Sequence, residues 1–253
     1  MSGGQLQGRT IVVTGAGSGI GYGILRAVLA EGAQAVGLDV SPDGIDRIAA
    51  TGALALAADV TDAEAFAASL GRARDETGRL DGLVNNAGLT LTAPFLEAEI
   101  AMWDRLWATN QRSVLIGCQA AARIMVADGR PGALVNVASV HAGASDHGYE
   151  GYAGTKGAIQ AMGRALAWSL GPHGIRVNTL SPGLTLTETV TQAAETPATK
   201  ALFDSWHADG ATASVDEVAR AALFLLSDAS AALTGTEIIA DKGTMARLCN
   251  VGA

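Results

Sequence analysis

Short apolar runs and longer helix-patterned stretches alternate along the chain. The runs at Thr10–Val13, Ala35–Leu38, Leu54–Ala57, Gly82–Asn85, Ala133–Ala138, Arg176–Leu180 and Glu237–Ala240 are short and mostly apolar, as expected of strands buried on both faces. Between them, Ile20–Ala30, Ala63–Glu76, Glu99–Val126, Tyr152–Leu170 and Val215–Leu226 carry helical patterns. Repeated strand–helix–strand units imply right-handed crossovers. The expected fold is therefore α/β, a doubly wound, seven-stranded parallel sheet. No repeat, linker or shift of composition divides the sequence, so residues 1–253 read as one domain. The rhythm breaks only at about 184–212, which is rich in Thr, Ala and Glu and shows no strand pattern. Its place after a late strand suits a helical lid over a substrate; an ordinary connecting helix and loop is the plainer alternative.

Composition narrows the function classes. Of 253 residues, 49% are hydrophobic, and 17 basic against 25 acidic residues give a formal charge of −8. No basic run is present, so nucleic acid is not an expected partner. The acidic balance also opposes anionic membranes and, mildly, an acidic carrier protein. The N-terminus has no signal-peptide pattern, and no stretch approaches the roughly 20 apolar residues of a spanning helix. Cys118 and Cys249 stand alone without CxxC spacing, so Cys118 is expected to be a small buried residue. His141, His147, His173 and His207 show no familiar ligand spacing, and no metal is expected. A cytoplasmic protein with a small-molecule substrate is the resulting expectation.

The first strand runs into Thr14-Gly15-Ala16-Gly17-Ser18-Gly19-Ile20-Gly21 and then a helix. Glycines in a strand–turn–helix context let backbone amides approach a pyrophosphate at the positive helix end. No register here fits GxGxxG; the pattern is TGxxxGxG. Eighteen residues after Gly21, Asp39 ends the next strand. A carboxylate there accepts from both adenosine ribose hydroxyls and repels a 2′-phosphate, and nothing nearby offers that phosphate a cation, since position 18 is Ser18 and position 40 is Val40. NAD is expected rather than NADP. Asp59-Val60 ends the third strand, and Asn85-Asn86-Ala87-Gly88 closes the fourth, where Ala-Gly admits a cofactor closely.

Tyr152 and Lys156 lie four residues apart in YAGTK on a helix, so both project from one face. A free tyrosine titrates near pKa ~10; an adjacent ammonium, together with the positive nicotinamide of the oxidised cofactor, is expected to stabilise its phenolate and make it an acid/base. Ser139 ends a strand thirteen residues earlier, where its hydroxyl can orient a substrate oxygen. Asn110, read by itself, is a mediocre helix residue with a solvent-facing amide.

These ordered motifs, from about residue 8 to residue 243, resemble the short-chain dehydrogenase/reductase family. The resemblance implies a Rossmann fold and a catalytic set of Asn110, Ser139, Tyr152 and Lys156. In it Asn110 sits where a backbone kink holds a proton-relay water, and Lys156 also holds the nicotinamide ribose. It further implies cofactor contacts from Gly15, Ser18, Gly19, Ile20, Gly21, Asp39, Asp59, Val60, Asn86, Ala87 and Gly88. The segment Ser181-Pro182-Gly183-Leu184-Thr185-Leu186-Thr187 resembles the family's PGxxxT, which implicates Pro182, Gly183, Thr185 and Thr187 at the carboxamide. Two positions depart from the pattern: Thr185 replaces an aliphatic residue, and Asp241-Lys242-Gly243 replaces Asp-Gly-Gly. A homodimer or homotetramer is also implied.

The expected activity is NAD-linked exchange between a secondary alcohol and a ketone. The polar loop around His141, His147 and Glu150 suits a sugar, polyol or hydroxy ketone; Leu184, Leu186, Leu202, Phe203 and Trp206 suit an apolar ketone or steroid instead. Two alternatives stay open: a β-ketoacyl-thioester reductase using NADPH, and a non-catalytic dinucleotide sensor.

Overall fold

The structure, a computed structural model, describes residues 4–247, so Cys249 lies outside the described residues. Strands β1 (Thr10–Thr14), β2 (Gln34–Asp39), β3 (Leu54–Ala57), β4 (Gly82–Asn85), β5 (Gly132–Val137) and β6 (Ile175–Pro182) form most of one parallel sheet. A two-residue ribbon of β7 (Thr185–Leu186) and β8 (Ala213–Ser214) stands apart, and β9 (Glu237–Ala240) completes the sheet. Its order is β3-β2-β1-β4-β5-β6-β9, so the winding reverses between β1 and β4, the place where such sheets open a ligand crevice. The expected doubly wound, seven-stranded sheet is what forms.

Successive strand residues serve opposite faces. Ile11, Val13 and Val135 pack on one side against Ile24, Leu25 and Val28 of α1 (Gly19–Ala30), joined there by Val218 and Leu225. Val12, Leu83 and Leu134 pack on the other against Phe66 and Leu70 of α3 (Ala63–Thr77), after α2 (Pro42–Ala49) has crossed between β2 and β3. Local sequence sets these boundaries. Asp62 caps α3 by accepting from the amides of Glu64 and Ala65, and Gly78 ends it at φ 82°, a left-handed conformation that glycine adopts freely. Helix α4 (Ile100–Leu106) passes through a π-helical stretch at Trp107–Arg112 into α5 (Ser113–Ala127). Helix α6 (Glu150–Leu170) begins two residues before the expected start.

The segment after β6 departs from expectation. It is not strandless, because β7 pairs with β8 and pins both feet of the lid. Between them lie α7 (Glu188–Ala193) and α8 (Pro197–Ser205). Helix α9 (Val215–Leu226) follows, opened by a capping box between Ser214 and Glu217. Lys242 adopts φ 50°, which explains the glycine usual at that position. The lysine Nζ pairs instead with Asp209 at 2.9 Å and Glu217 at 3.2 Å, tying the lid's end to α9.

Cys118 is fully buried; it lies 3.4 Å from Asn85 Nδ2 and 3.3 Å from Asn136 Oδ1. Burial pushes its thiol up to about 12, so it is an unreactive packing residue.

Candidate active site

A cleft of about 1350 Å³ opens along the C-terminal edge of the sheet. It exceeds the ~300–1,000 Å³ usual for one organic ligand. Its floor is the turn from β1 into α1. Gly21 has no room for a side chain: a Cβ there would lie 2.1 Å from the Gly15 carbonyl oxygen. One at Gly17 would meet Gly44 Cα at 2.4 Å and Asp39 Oδ2 at 2.8 Å. Glycine is thus required for the turn itself. Ser18 makes no side-chain cap on α1; apart from the Gly19 amide, which donates to Glu188, the first-turn amides are left to an anion. Asn86 clamps the turn from the end of β4: its Nδ2 donates to the Thr14 and Gly15 carbonyls at 3.0 and 3.2 Å. These features fit the pyrophosphate of a dinucleotide.

Asp39 lines the cleft at the end of β2. Its carboxylate accepts from the Gly17 amide and the Ser41 amide, each at 2.9 Å. Each oxygen keeps a further acceptor site, which suits ribose hydroxyls. The structure corrects the view that no cation stands nearby. Arg47 of α2 lines the same wall, 4.7 Å over the Tyr22 ring and 2.9 Å from Glu188 of the lid. Glu188 also accepts from the Gly19 amide at 3.1 Å. Arg47 was missed because α2 was: Pro42-Asp43-Gly44 reads as a turn, although Ser41 before Pro42 is an N-cap signal.

Ser18, Ile20, Asp59, Val60, Ala87 and Gly88 line the cleft from the ends of β1, β3 and β4, and Gly183, Thr185 and Thr187 line it from β6 onward. Gly21 and Pro182 are not in its wall: Gly21 packs behind the turn, and Pro182 is buried at the end of β6. Thr185 is also held locally, its hydroxyl donating to the Gly183 carbonyl at 3.0 Å.

The reacting centre gathers at the ends of β5 and α6. Ser139 and Tyr152 line the cleft, while Lys156 is buried beneath it and donates to the Val137 carbonyl at 3.0 Å. Burial pushes the lysine down to about 8. The same effect raises Tyr152 above its ordinary value, with hydrogen bonds to Ser139 and Thr90 pulling it partly back. The expected lowering needs the ammonium and the oxidised nicotinamide together; among the protein's own groups, burial dominates. Lys156 Nζ stands 5.6 Å from the Tyr152 ring centroid, and the low-dielectric surroundings outweigh it.

Asn110 is buried, not solvent-facing. It lies in the π-helical stretch, and its amide pairs edge-on with Leu89, accepting from the backbone amide at 2.7 Å and donating to the carbonyl at 2.8 Å. A Cβ on Gly88 would lie 3.2 Å from Asn110 Oδ1 and 3.6 Å from Lys156 Nζ, so the strand-end loop threads between the two. Asn110→Ala would leave both Leu89 groups unpaired. Urea denaturation should show a loss of about 1–3 kcal/mol; an unchanged midpoint would mean that water replaces the amide.

Of the expected substrate residues, only His141 reaches the cleft. It stacks on Tyr149 with centroids 4.4 Å apart and meets Tyr152 edge-on at 5.6 Å. His147 is 96% exposed and bound to Asp146, and Glu150 accepts from the Gly148 amide outside the cleft. Local hydrogen bonds turn both away. Thr90 and Thr244 are wall residues the sequence did not single out, and Tyr149 joins them from the polar loop before Tyr152. Of the apolar lid residues, Leu184 and Trp206 line the cleft, whereas Leu186, Leu202 and Phe203 do not.

A family model described as "Enoyl-(Acyl carrier protein) reductase" matches residues 15–245. The chain is 36% identical to the D-threitol dehydrogenase of Mycolicibacterium smegmatis over 94% of each chain. It is likewise 36% identical to the L-xylulose reductase of Bos taurus, over 96% of this chain and 98% of that one. The Carbonyl reductase [NADPH] 2 of Sus scrofa is 35% identical with the same coverage. Among solved structures, a short-chain type dehydrogenase/reductase from Mycobacterium marinum superposes with a TM-score of 0.88 at 32% identity, over 96% of this chain and 97% of that one.

Proposed function

The chain belongs to the short-chain dehydrogenase/reductase family and is an oxidoreductase; from that premise we propose that it interconverts a small polyol and its ketone using NAD(H), with Tyr152 as acid/base. The observation that carries the substrate class is the wall around Tyr152. Thr90, Ser139, His141, Tyr149 and Thr244 offer polar groups there, beside the apolar Leu89, Val140, Leu184, Val190 and Trp206. Five polar groups beside the acid/base can hydrogen-bond several hydroxyls of a polyol. The names of the threitol and xylulose relatives point the same way.

The nicotinamide, when bound, gives or takes the hydride. The chain's own residues do the rest. Ser139 orients the substrate oxygen, and Tyr152 passes a proton to or from that oxygen. Lys156 supplies positive charge beneath Tyr152, and Asn110 holds the Leu89 backbone that borders the site. A panel of sugar alcohols, hydroxy acids and sterols tests the reading: turnover confined to sugar alcohols supports it, and turnover confined to sterols overturns it.

Asp39 supports NAD because its carboxylate faces the ribose position, while Arg47 is already paired with Glu188. The NADPH reading keeps one supporting observation, that Arg47 borders the same wall. Fluorescence titration should show NADH binding at least about tenfold tighter than NADPH, with Asp39→Ser narrowing the gap, since removing one facing charge is worth about 1.4 kcal/mol or more. Tighter NADPH binding would transfer cofactor choice to Arg47 and restore the ketoacyl-reductase alternative.

A further inference from the structure

We propose that the protein has a second ligand site, for a small dianion of the phosphate or sulfate class, in a cavity at the opposite edge of the sheet. The cavity, about 180 Å³, is lined by Arg9, Arg79, Arg130 and Arg176 together with Asp81 and Asp228. These come from the N-terminal ends of the adjacent strands β1, β4, β5 and β6 and from the turn after α9. The six residues of β5 separate it from Ser139, a distance on the order of 20 Å.

Charge selects the ligand. Four guanidinium groups face two carboxylates, a local balance of +2 in a chain of net charge −8. Asp81 is taken by Arg79 in a two-point pair, both contacts at 2.6 Å, and Asp228 by Arg9 at 2.6 Å. Arg176 has no carboxylate partner; it donates to the carbonyls of Leu225, Ser227 and Ser230 at the C-terminal end of α9. Arg9 donates to the Leu226 carbonyl beside it at 3.2 Å, which brings two cations to one helix end. Burial disfavours the guanidinium of Arg176 most, the charge of Arg9 adds to this, and the charge of Asp228 partly offsets it. Arg130 is exposed and makes no ion pair or side-chain hydrogen bond among the described residues. A dianion would balance the two unmatched charges, and guanidinium forks bind tetrahedral oxyanions with paired hydrogen bonds. The volume suits it: several times the ~30 Å³ share of one water, yet below the ~300 Å³ where organic-ligand pockets begin.

Calorimetric titration of the full chain with sodium sulfate, at constant ionic strength set by chloride, tests this. The expected result is saturable one-site binding, at least tenfold weaker in Arg130→Glu, weakened to a lesser degree in Arg130→Gln and unchanged in Arg47→Gln. Equal affinity in wild type and Arg130→Glu overturns the site. Loss in Arg47→Gln alone moves the anion to the glycine-rich turn and overturns it too. Heat that never saturates, with a melting temperature rising linearly in sulfate, is general salt exclusion and is equally fatal to the proposal.

Discussion

Tyr152→Phe should lower kcat/KM by about 10²–10⁴, the range for loss of a positioned acid/base, while dinucleotide affinity stays within about threefold. The substitution removes one oxygen and keeps the ring, so the edge contacts with His141 and Tyr149 at 5.6 and 6.2 Å survive. Because burial raises Tyr152 in the ligand-free protein, the side chain stands ready as a proton donor at neutral pH. Ketone reduction should therefore change little across the neutral range. Alcohol oxidation needs the phenolate and should climb toward alkaline pH. Equal rates for Tyr152→Phe and wild type would move the proton transfer to another group.

Lys156→Met should reduce turnover by a comparable factor and also reshape stability against pH. Methionine keeps an apolar stem of similar length but loses the ammonium and its bond to Val137. Burial takes the wild-type lysine from 10.5 to about 8, so the folded state resists holding that proton. Below pH 8 both folded and unfolded lysine are charged, and the whole penalty is present. Between about 8 and 10.5 the unfolded chain binds more protons than the folded one, so wild-type stability rises relative to the variant. Above that window the penalty is gone. The full change corresponds to roughly 3 kcal/mol, against about 1 kcal/mol for the lost hydrogen bond. Urea denaturation at neutral pH and near the top of the window measures it. Parallel curves for the two proteins would mean that the ammonium is solvated in place.

The central strands were legible because burial on both faces leaves a largely apolar run, and the partly buried edge strands Leu54–Ala57 and Glu237–Ala240 because they too are short and mostly apolar. Leu54–Ala57, Gly82–Asn85, Glu237–Ala240 and helix Val215–Leu226 fall where the pattern puts them. What escaped was decided by other forces. Pairing of Thr185–Leu186 with Ala213–Ser214 joins residues far apart in sequence and is too short to leave a run of its own. A π-helical stretch at Trp107–Arg112 adds a residue per turn without changing the apolar content. Helix Pro42–Ala49 begins with residues that also make turns. In the site, ordered motifs carried Ser139, Tyr152 and the glycine-rich turn to one cleft. His141 found its stacking partner Tyr149 only through the fold, and Glu188 met Arg47 across a sequence separation of 141. The burial that raises Tyr152 among the protein's own groups was not legible, because spacing reveals a charged neighbour but not the dielectric around it.

Isotope transfer tests the hydride step most directly. The full chain would be incubated with NAD⁺ and a sugar alcohol carrying deuterium on its carbinol carbon, and the reduced cofactor examined by mass spectrometry and NMR. The account predicts one deuterium at nicotinamide C4, with the label absent when Tyr152→Phe replaces wild type over the same time. Tight NAD⁺ binding with no label from any sugar alcohol that binds would contradict it, and would make the protein a dinucleotide sensor built on a catalytic fold.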